Sequence, residues 1–233
     1  MFNGKMKAVT FSYDDGTTQD ARLVEIFNKY GLKATFNINS GLCDTANLLY
    51  RDDVTVAHVR PRACEIAKIY EGHEVAAHTL THPALKNCDD DEVIRQVQND
   101  VEALSELVGY KVVGMAYPGS KTSFDDRVVD LIKNNTDIRY ARTANSSYSF
   151  DLQTDLYRFV PTAHHHADFD RIFDLAKEFI ELKTDTPKIF YIWGHSFEFD
   201  IHNTWQRFDD FCKLISGHDD IFYGTNREVL LRE

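Results

Sequence analysis

The residue types best suited to chemistry fall in two stretches, His78-Thr79-Leu80-Thr81-His82-Pro83 and, upstream of it, Asp14-Asp15-Gly16. Two imidazoles four positions apart converge on one ion when the chain coils locally, because residues i and i+4 stand side by side on a helical turn. Pro83 limits that turn: the residue before a proline is pushed out of the helical region, so His82 is expected to close a single turn. Two His and one carboxylate fill three positions around a metal and leave the fourth to water, the pattern of a catalytic zinc site and not of a closed structural one. With Asp15 as the carboxylate, bound water can lose a proton near neutral pH and the ion can polarise a carbonyl. Asp14 is then a candidate base, provided the turn at Gly16 brings both carboxylates into one pocket, since adjacent strand residues otherwise point to opposite faces. His195, after an apolar strand, is a candidate general acid. Spacing alone suits two surface histidines and a solvated turn equally well, so the case rests on where the rest of the chain puts these groups.

The elements that must position them alternate along the chain. Residues 7–13, 33–38, 74–77, 112–116, 138–143, 158–162, 188–193 and 220–223 read as strands from their apolar and β-branched content and flanking turn residues. A helix capped by Thr17 or Thr18 carries Leu23, Ile26, Phe27 and Tyr30 on one face and ends at Gly31. Pro61 suits the first turn of a helix running to residue 71. Asp89-Asp90-Asp91-Glu92 places negative charge at the start of a helix whose face is Val93, Val97, Val101, Leu104 and Val108, stopped by Gly109. Further helices are expected over 125–133, from an Asp168 cap through Ile172, Phe173, Ala176, Phe179 and Ile180, and over 204–215. Residues 41–59 show no clear period and read as an inserted loop. Eight strands alternating with helices predict an α/β fold, an irregular (β/α) barrel with seven to eight mostly parallel strands, as one domain over 1–233. In such a barrel catalytic groups lie at the carboxyl ends of strands, and Asp14, Asp15, His78, Tyr117 and His195 all fall there.

The bulk composition agrees with a globular protein that folds alone. Of 233 residues 43% are hydrophobic and 27% charged, a globular and not a disordered balance. The formal charge of -11 argues against nucleic acid or an anionic membrane surface as partner. Cys43, Cys64, Cys88 and Cys212 are scattered without a paired short spacing, so no zinc ribbon or redox pair is indicated. The polar amino terminus and the lack of a long apolar run suit a reduced, cytoplasmic protein. Oligomeric state leaves no mark on the sequence.

At these residues the chain resembles the polysaccharide deacetylase family, also called the NodB-homology or carbohydrate esterase 4 family. Phe11-Ser12-Tyr13-Asp14-Asp15-Gly16 is similar to its first motif, which implies Asp14 as base and Asp15 as metal ligand. His78-Thr79-Leu80-Thr81-His82 is similar to its second, His-Ser/Thr-x-x-His, which implies both histidines as ligands. The family's fold, an irregular parallel α/β barrel, implies that the resemblance spans nearly the full chain. Three departures stand out. Ala116-Tyr117-Pro118-Gly119 keeps the Pro and Gly of the third motif, whose backbone amide helps stabilise an oxyanion, but lacks the Arg that holds the base. Without a cation beside it Asp14 would be a stronger and less firmly oriented base, and Arg142, near the end of the next strand, is the candidate substitute. The fourth motif has no clear match, although Asp151 and Asp155 lie in its region. The fifth, Leu-x-His, appears as Trp193-Gly194-His195, with an indole where a leucine lines the acyl pocket.

Tyr117 and Trp193 are candidates to stack on a sugar face, Glu198 and Asp200 to orient His195 or bind substrate, and one of His164, His165 and His166 to face the site. Taken together, the resemblance implies a metal-dependent hydrolase, acting on a carbon–nitrogen bond other than a peptide bond, that removes an acyl group, foremost acetyl, from an amide nitrogen of an amino sugar. One divalent ion is expected, zinc first, with cobalt, nickel or iron also compatible with a His-His-Asp set. The substrate is expected to be a small carbohydrate or amide. A non-sugar cyclic or linear amide, a non-haem iron centre, and a carbohydrate-binding barrel without turnover are the alternatives.

Overall fold

A computed structural model describes residues 1–119 and 122–233 of the chain. Its strands are β1 Lys7–Asp14, β2 Ala34–Ile38, β3 Ala46–Arg51, β4 Val54–Val59, β5 Glu74–Ala77, β6 Gly114–Ala116, β7 Tyr140–Arg142, β8 Ala163–His164, β9 Lys188–Gly194 and β10 Ile221–Tyr223. Eight of them form one sheet in the order β7-β6-β5-β2-β1-β9-β8, with β10 beside β1, and every pairing in it is parallel. Phe159 links the two ends: its N–H donates to Ala141 O at 3.0 Å and its carbonyl accepts from Thr143 N–H at 2.9 Å, while Thr162 N–H reaches Tyr191 O at 2.8 Å. The sheet therefore curls into the irregular barrel that the alternation of elements predicts.

The helices are α1 Asp20–Lys29, α2 Ile66–Ile69, α3 Asp90–Val108, α4 Asp126–Asn135, α5 Phe169–Glu181, α6 Glu198–His202 and α7 Trp205–Ile215. The acidic start of α3 behaves as its composition predicts, since the Asp89 side chain accepts from Glu92 N–H at 2.9 Å. Other local expectations need correction. Thr17 and Thr18 do not cap α1; the Thr17 hydroxyl instead meets Ser196 Oγ at 3.0 Å. Asp168 gives no side-chain cap to α5, because its carboxylate accepts from His164 N–H and Ser146 Oγ. The helix expected over 61–71 is a 3-10 turn at Ala63–Glu65 followed by the single turn α2. The strand expected over 158–162 lies later, at β8. Residues 41–59 are not a plain loop: β3 and β4 pair antiparallel as a hairpin.

The two faces of the barrel strands explain how an apolar core and a polar site coexist. One set of alternating residues, Phe11 and Tyr13 on β1, Phe36 on β2 and Phe190 on β9, packs against Phe27 of α1 and Phe208 and Phe211 of α7. The other set points into the barrel and is largely polar. Thr10 donates to Asn226 Oδ1 at 2.9 Å, Thr35 to Glu74 Oε2 at 2.7 Å and Tyr140 to Glu74 Oε1 at 2.9 Å. Phe2, Ala8, Ile189, Val229 and Leu230 pack together at the amino-terminal end. Ser12, Asn37, Asp14 and Arg142 continue the polar set toward the carboxyl end.

Candidate active site

The first carboxylate pair sits where β1 ends. Asp15 and Gly16 both take left-handed backbone angles, φ 76° and 61°, a conformation rarely taken by non-glycine residues. At Gly16 a side chain would also meet Ile38 at 3.1 Å. This reversal turns Asp15 back toward the pocket that Asp14 faces, so one strand end presents both acids.

His78 and His82 converge differently from the expected helical turn. Residues 78–83 are not helical; Thr79 and His82 are left-handed, φ 67° and 61°, and Thr79 Oγ1 accepts from His82 N–H at 3.1 Å. Asp100 of α3 fixes the start of the stretch by accepting from His78 N–H at 2.9 Å and from Ser40 N–H at 2.8 Å. Asn39 donates to the carbonyls of His78 and Thr79. The result is a triad: His78 Nε2 and His82 Nε2 lie 3.7 and 3.5 Å from Asp15 Oδ1.

These atoms fit a divalent ion. His78 Nδ1 lies 2.8 Å from Ala116 O; only a protonated Nδ1 makes that bond, so the lone pair is on Nε2, facing Asp15. Both His78 Nε2 and Asp15 Oδ1 are buried without a hydrogen-bond partner. Burial lowers His78 to a pKa of about 4, which keeps it neutral and able to ligate. Burial alone would raise Asp15, but the His58 hydrogen bond and the imidazoles of His195, His78 and His82 hold it well below the usual carboxylate range. Two donors each about 2.1 Å from a tetrahedral ion are about 3.4 Å apart, close to the spacings found.

Asp14 is 2% exposed. The Arg142 guanidinium contacts both its oxygens, and Asn37 Nδ2 donates to Oδ1 at 2.8 Å. Arg142 thus stands where the third motif's Arg was missed, and the free, stronger base expected without it is not what the fold builds. Against the effect of burial, Arg142, His78 and His195 lower the Asp14 pKa, so it is ionised and firmly oriented. Arg142 in turn lies over Trp193, 4.5 Å from the ring, which puts the indole in the wall of the site.

His195 Nδ1 lies 3.4 Å from Glu198 Oε2, which also accepts from His195 N–H at 3.1 Å. Burial works against the imidazolium, but the Glu198 charge and hydrogen bond, with Asp15 and Asp14 nearby, push its pKa up to about 9. Two of the three consecutive histidines, not one, join this group: His164 Nε2 and His165 Nε2 are 3.4 and 3.5 Å from Glu198 Oε2. His165 explains the glycine before His195, since a side chain at Gly194 would fall 1.9 Å from its Nδ1. His164, His195 and Glu198 are close enough together to suggest a second ion, but the tautomer argues otherwise. His164 Nδ1 accepts from the N–H groups of His166 and Ala167, each at 3.1 Å, so neutral His164 carries its proton on Nε2 and directs it at Glu198.

Several candidates fall elsewhere. Tyr117 is 1% exposed, stacked on Phe124 at 3.9 Å, with its hydroxyl on Tyr157 O; it is core and not a sugar platform. Its N–H donates to Arg142 O, and Pro118 has none, so of the Tyr117-Pro118-Gly119 stretch only Gly119 can offer an amide to an oxyanion. Asp200 accepts from Trp205 Nε1 and Gln19. Asp151 pairs with Lys188 at the surface and Asp155 accepts from Tyr157 N–H, so neither fills the fourth motif. All four cysteines are free. The hairpin and the residue after it contribute two unforeseen contacts, His58 Nε2 at 3.4 Å from Asp15 Oδ2 and Arg60 Nε donating to Asp15 O at 3.2 Å. No periodicity in the 41–60 stretch could have pointed to them.

A family model described as polysaccharide deacetylase matches residues 3–141. Among solved structures, the chain is similar to a family 4 carbohydrate esterase domain of a multidomain xylanase from the hindgut metagenome of Trinervitermes trinervoides, at 16% identity and TM-score 0.60, covering 97% of this chain and 90% of that one. A family 4 pseudoenzyme from Bacillus anthracis matches at 20% identity and TM-score 0.57, over 97% of this chain but 66% of its own length; the chain thus covers just under two thirds of that relative. A Streptomyces lividans family 4 carbohydrate esterase, solved with acetate, matches at 13% identity and TM-score 0.57 over 95% and 92%. At these identities the structural likeness establishes the fold.

Proposed function

The chain belongs to the polysaccharide deacetylase family, and on that premise we propose that it is a metal-dependent hydrolase removing an acyl group, foremost acetyl, from an amide nitrogen of a small amino sugar. The observation that carries this reading is the convergence of three parts on one rim: a carboxylate held ionised by Arg142, a His-His-Asp triad with unpartnered buried donor atoms, and His195 backed by Glu198.

Asp15, His78 and His82 would hold the ion, zinc by default, and the ion would supply a Lewis acid for the acyl carbonyl and a lowered pKa for water. Asp14 takes the proton from the attacking water; Arg142 and Asn37 fix its oxygens and keep it charged across the neutral range. His195, protonated near neutral pH, gives its proton to the departing amine, while Glu198 holds the ring and its charge. Gly119 N–H offers a donor to the developing oxyanion. The indole of Trp193 bounds the acyl end of the pocket, and its bulk favours acetyl over longer groups.

The reading is tested by release of acetate from N-acetylglucosamine and its short oligomers by zinc- or cobalt-loaded protein. Turnover by the parent, reduced about 10²-fold or more in Asp14→Asn, is the expected result. A metal-loaded parent that binds these sugars without releasing acetate would instead make the barrel a binding protein.

A further inference from the structure

The hairpin of β3 and β4 reaches from Ala46 to Val59 and returns directly over Asp15. Arg60 N–H to Thr45 O closes its base and Thr18 N–H to Val59 O ties it to the loop after β1, both 2.8 Å. Val56 packs on Phe197 and Ile201 beside it, and the His58 ring stands edge-on to Phe197 at 5.0 Å. These contacts leave the His58 ring little freedom. Its Nδ1 lies 3.4 Å from Arg60 Nη1. A guanidinium only donates, so Nδ1 is the acceptor and the neutral ring carries its proton on Nε2, which lies 3.4 Å from Asp15 Oδ2. Arg60, 8% exposed, also donates from Nε to the Asp15 carbonyl. Both the carboxylate and the backbone of Asp15 are therefore gripped from the hairpin, while its other oxygen, Oδ1, faces His78 and His82.

We propose that His58, with its tautomer set by Arg60, is a positioning residue that aims Asp15 Oδ1 at the ion. His58 itself does not ligate, because its Nε2 lone pair is replaced by the proton it gives to Oδ2. Without that donor the carboxylate is free to rotate away or to swing Oδ2 inward, and the ion loses a fixed ligand. Partners of this kind in outer shells change metal affinity by about 10- to 100-fold when removed. The proposal rests on the metal reading of the Asp15-His78-His82 triad, and the experiment separates the two.

Zinc affinity is measured by competition with a chromophoric chelator for the full chain, His58→Ala, His58→Gln and, as a control for the triad, His82→Ala. The expected result is one equivalent in the parent, an affinity about 10- to 100-fold weaker in His58→Ala, and substantial recovery in His58→Gln, whose amide restores an N–H donor. The visible bands of the cobalt-loaded protein should shift in His58→Ala and return toward the parent in His58→Gln, which a merely structural loss would not produce. A parent and a His58→Ala variant of equal affinity and spectrum would overturn the positioning role alone. A parent that takes up no zinc or cobalt would overturn the metal reading and this inference with it.

Discussion

At the scale of single residues, the site solves one electrostatic problem twice. Two buried carboxylates, Asp14 and Glu198, face groups that must differ in protonation, and each is held ionised by its own donors. For Asp14 the cation is Arg142, which never releases its proton; Glu198 has Arg51 at 3.5 Å from Oε1 and three imidazoles around Oε2, one of which, His195, can pass its proton on. This difference gives a pH dependence with a definite sign. His195 is raised to about 9, so the acid form is present at neutral pH, and kcat/KM should fall as pH rises through about 9. In Glu198→Gln the opposing charge is gone while burial, which favours neutral imidazole, remains. The alkaline limb should then move to lower pH, and because each pKa unit is tenfold in the protonated fraction, activity near pH 8 should drop about 10-fold or more. A limb that stays in place in the metal-loaded variant would show that Glu198 does not govern His195. The residue types of this machinery were legible from the sequence: Asp14, Asp15, His78, His82 and His195 stand where motif spacing puts them, and Arg142 where a missing cation left room. His164, His165 and Glu198 were only partly legible, because whether a side chain near a strand end faces the site depends on backbone turns that a row of letters does not encode.

At the scale of elements, loops made rigid by distant side chains place the histidines. The expected helical turn at His78 does not form; left-handed Thr79 and His82 make the bend instead, and both would be unfavourable without support. Asp100, three turns into α3 and fully buried, supplies it by accepting from His78 N–H, Ser40 N–H and Ser40 Oγ. A mid-helix Asp on the buried face departs from the apolar stripe of Val93, Val97, Val101 and Leu104 that made α3 so readable. That departure is the signal pointing to a role. Asp100→Ala removes the partner of the Ser40 N–H and hydroxyl, while His78 N–H keeps the Ile38 carbonyl at 3.0 Å, and should lower the unfolding free energy by about 2 kcal/mol. Glu106→Ala, exposed on the same helix, should change it by less than about 0.5 kcal/mol. Urea unfolding of the metal-free proteins checks both, and a difference below about 1 kcal/mol between the variants would remove Asp100 as the support of the bend. The hairpin was illegible for a related reason: β3 is exposed or half-exposed along its whole length and β4 buries only Val56, so neither strand carries the alternation that reveals a half-buried sheet.

At the scale of the whole molecule, the fold class follows from alternation of elements, but the polar barrel interior does not. Strands such as β1 are buried on both faces, and a buried Thr10, Ser12 or Thr35 reads in sequence like any β-branched or small strand residue. Only the closed sheet shows that these residues share one inner face and lead up to Asp14 and Arg142. The same whole-molecule view bears on substrate. A formal charge of -11 sets up a negative field, which salt screens over a Debye length of about 8 Å near physiological ionic strength. An acidic polymer chain approaching the rim pays a repulsion along its length, whereas a neutral amino sugar does not. At low salt, kcat/KM for a neutral N-acetylated oligosaccharide should therefore vary little with added sodium chloride. For an N-acetylated acidic polysaccharide it should rise, by a few-fold between about 10 and 150 mM, as screening removes the barrier to encounter. The opposite trend, faster turnover of the acidic substrate at low salt, would mean that a local basic surface overrides the net charge. Arg51, exposed at the end of β3, would then be the first residue to neutralise.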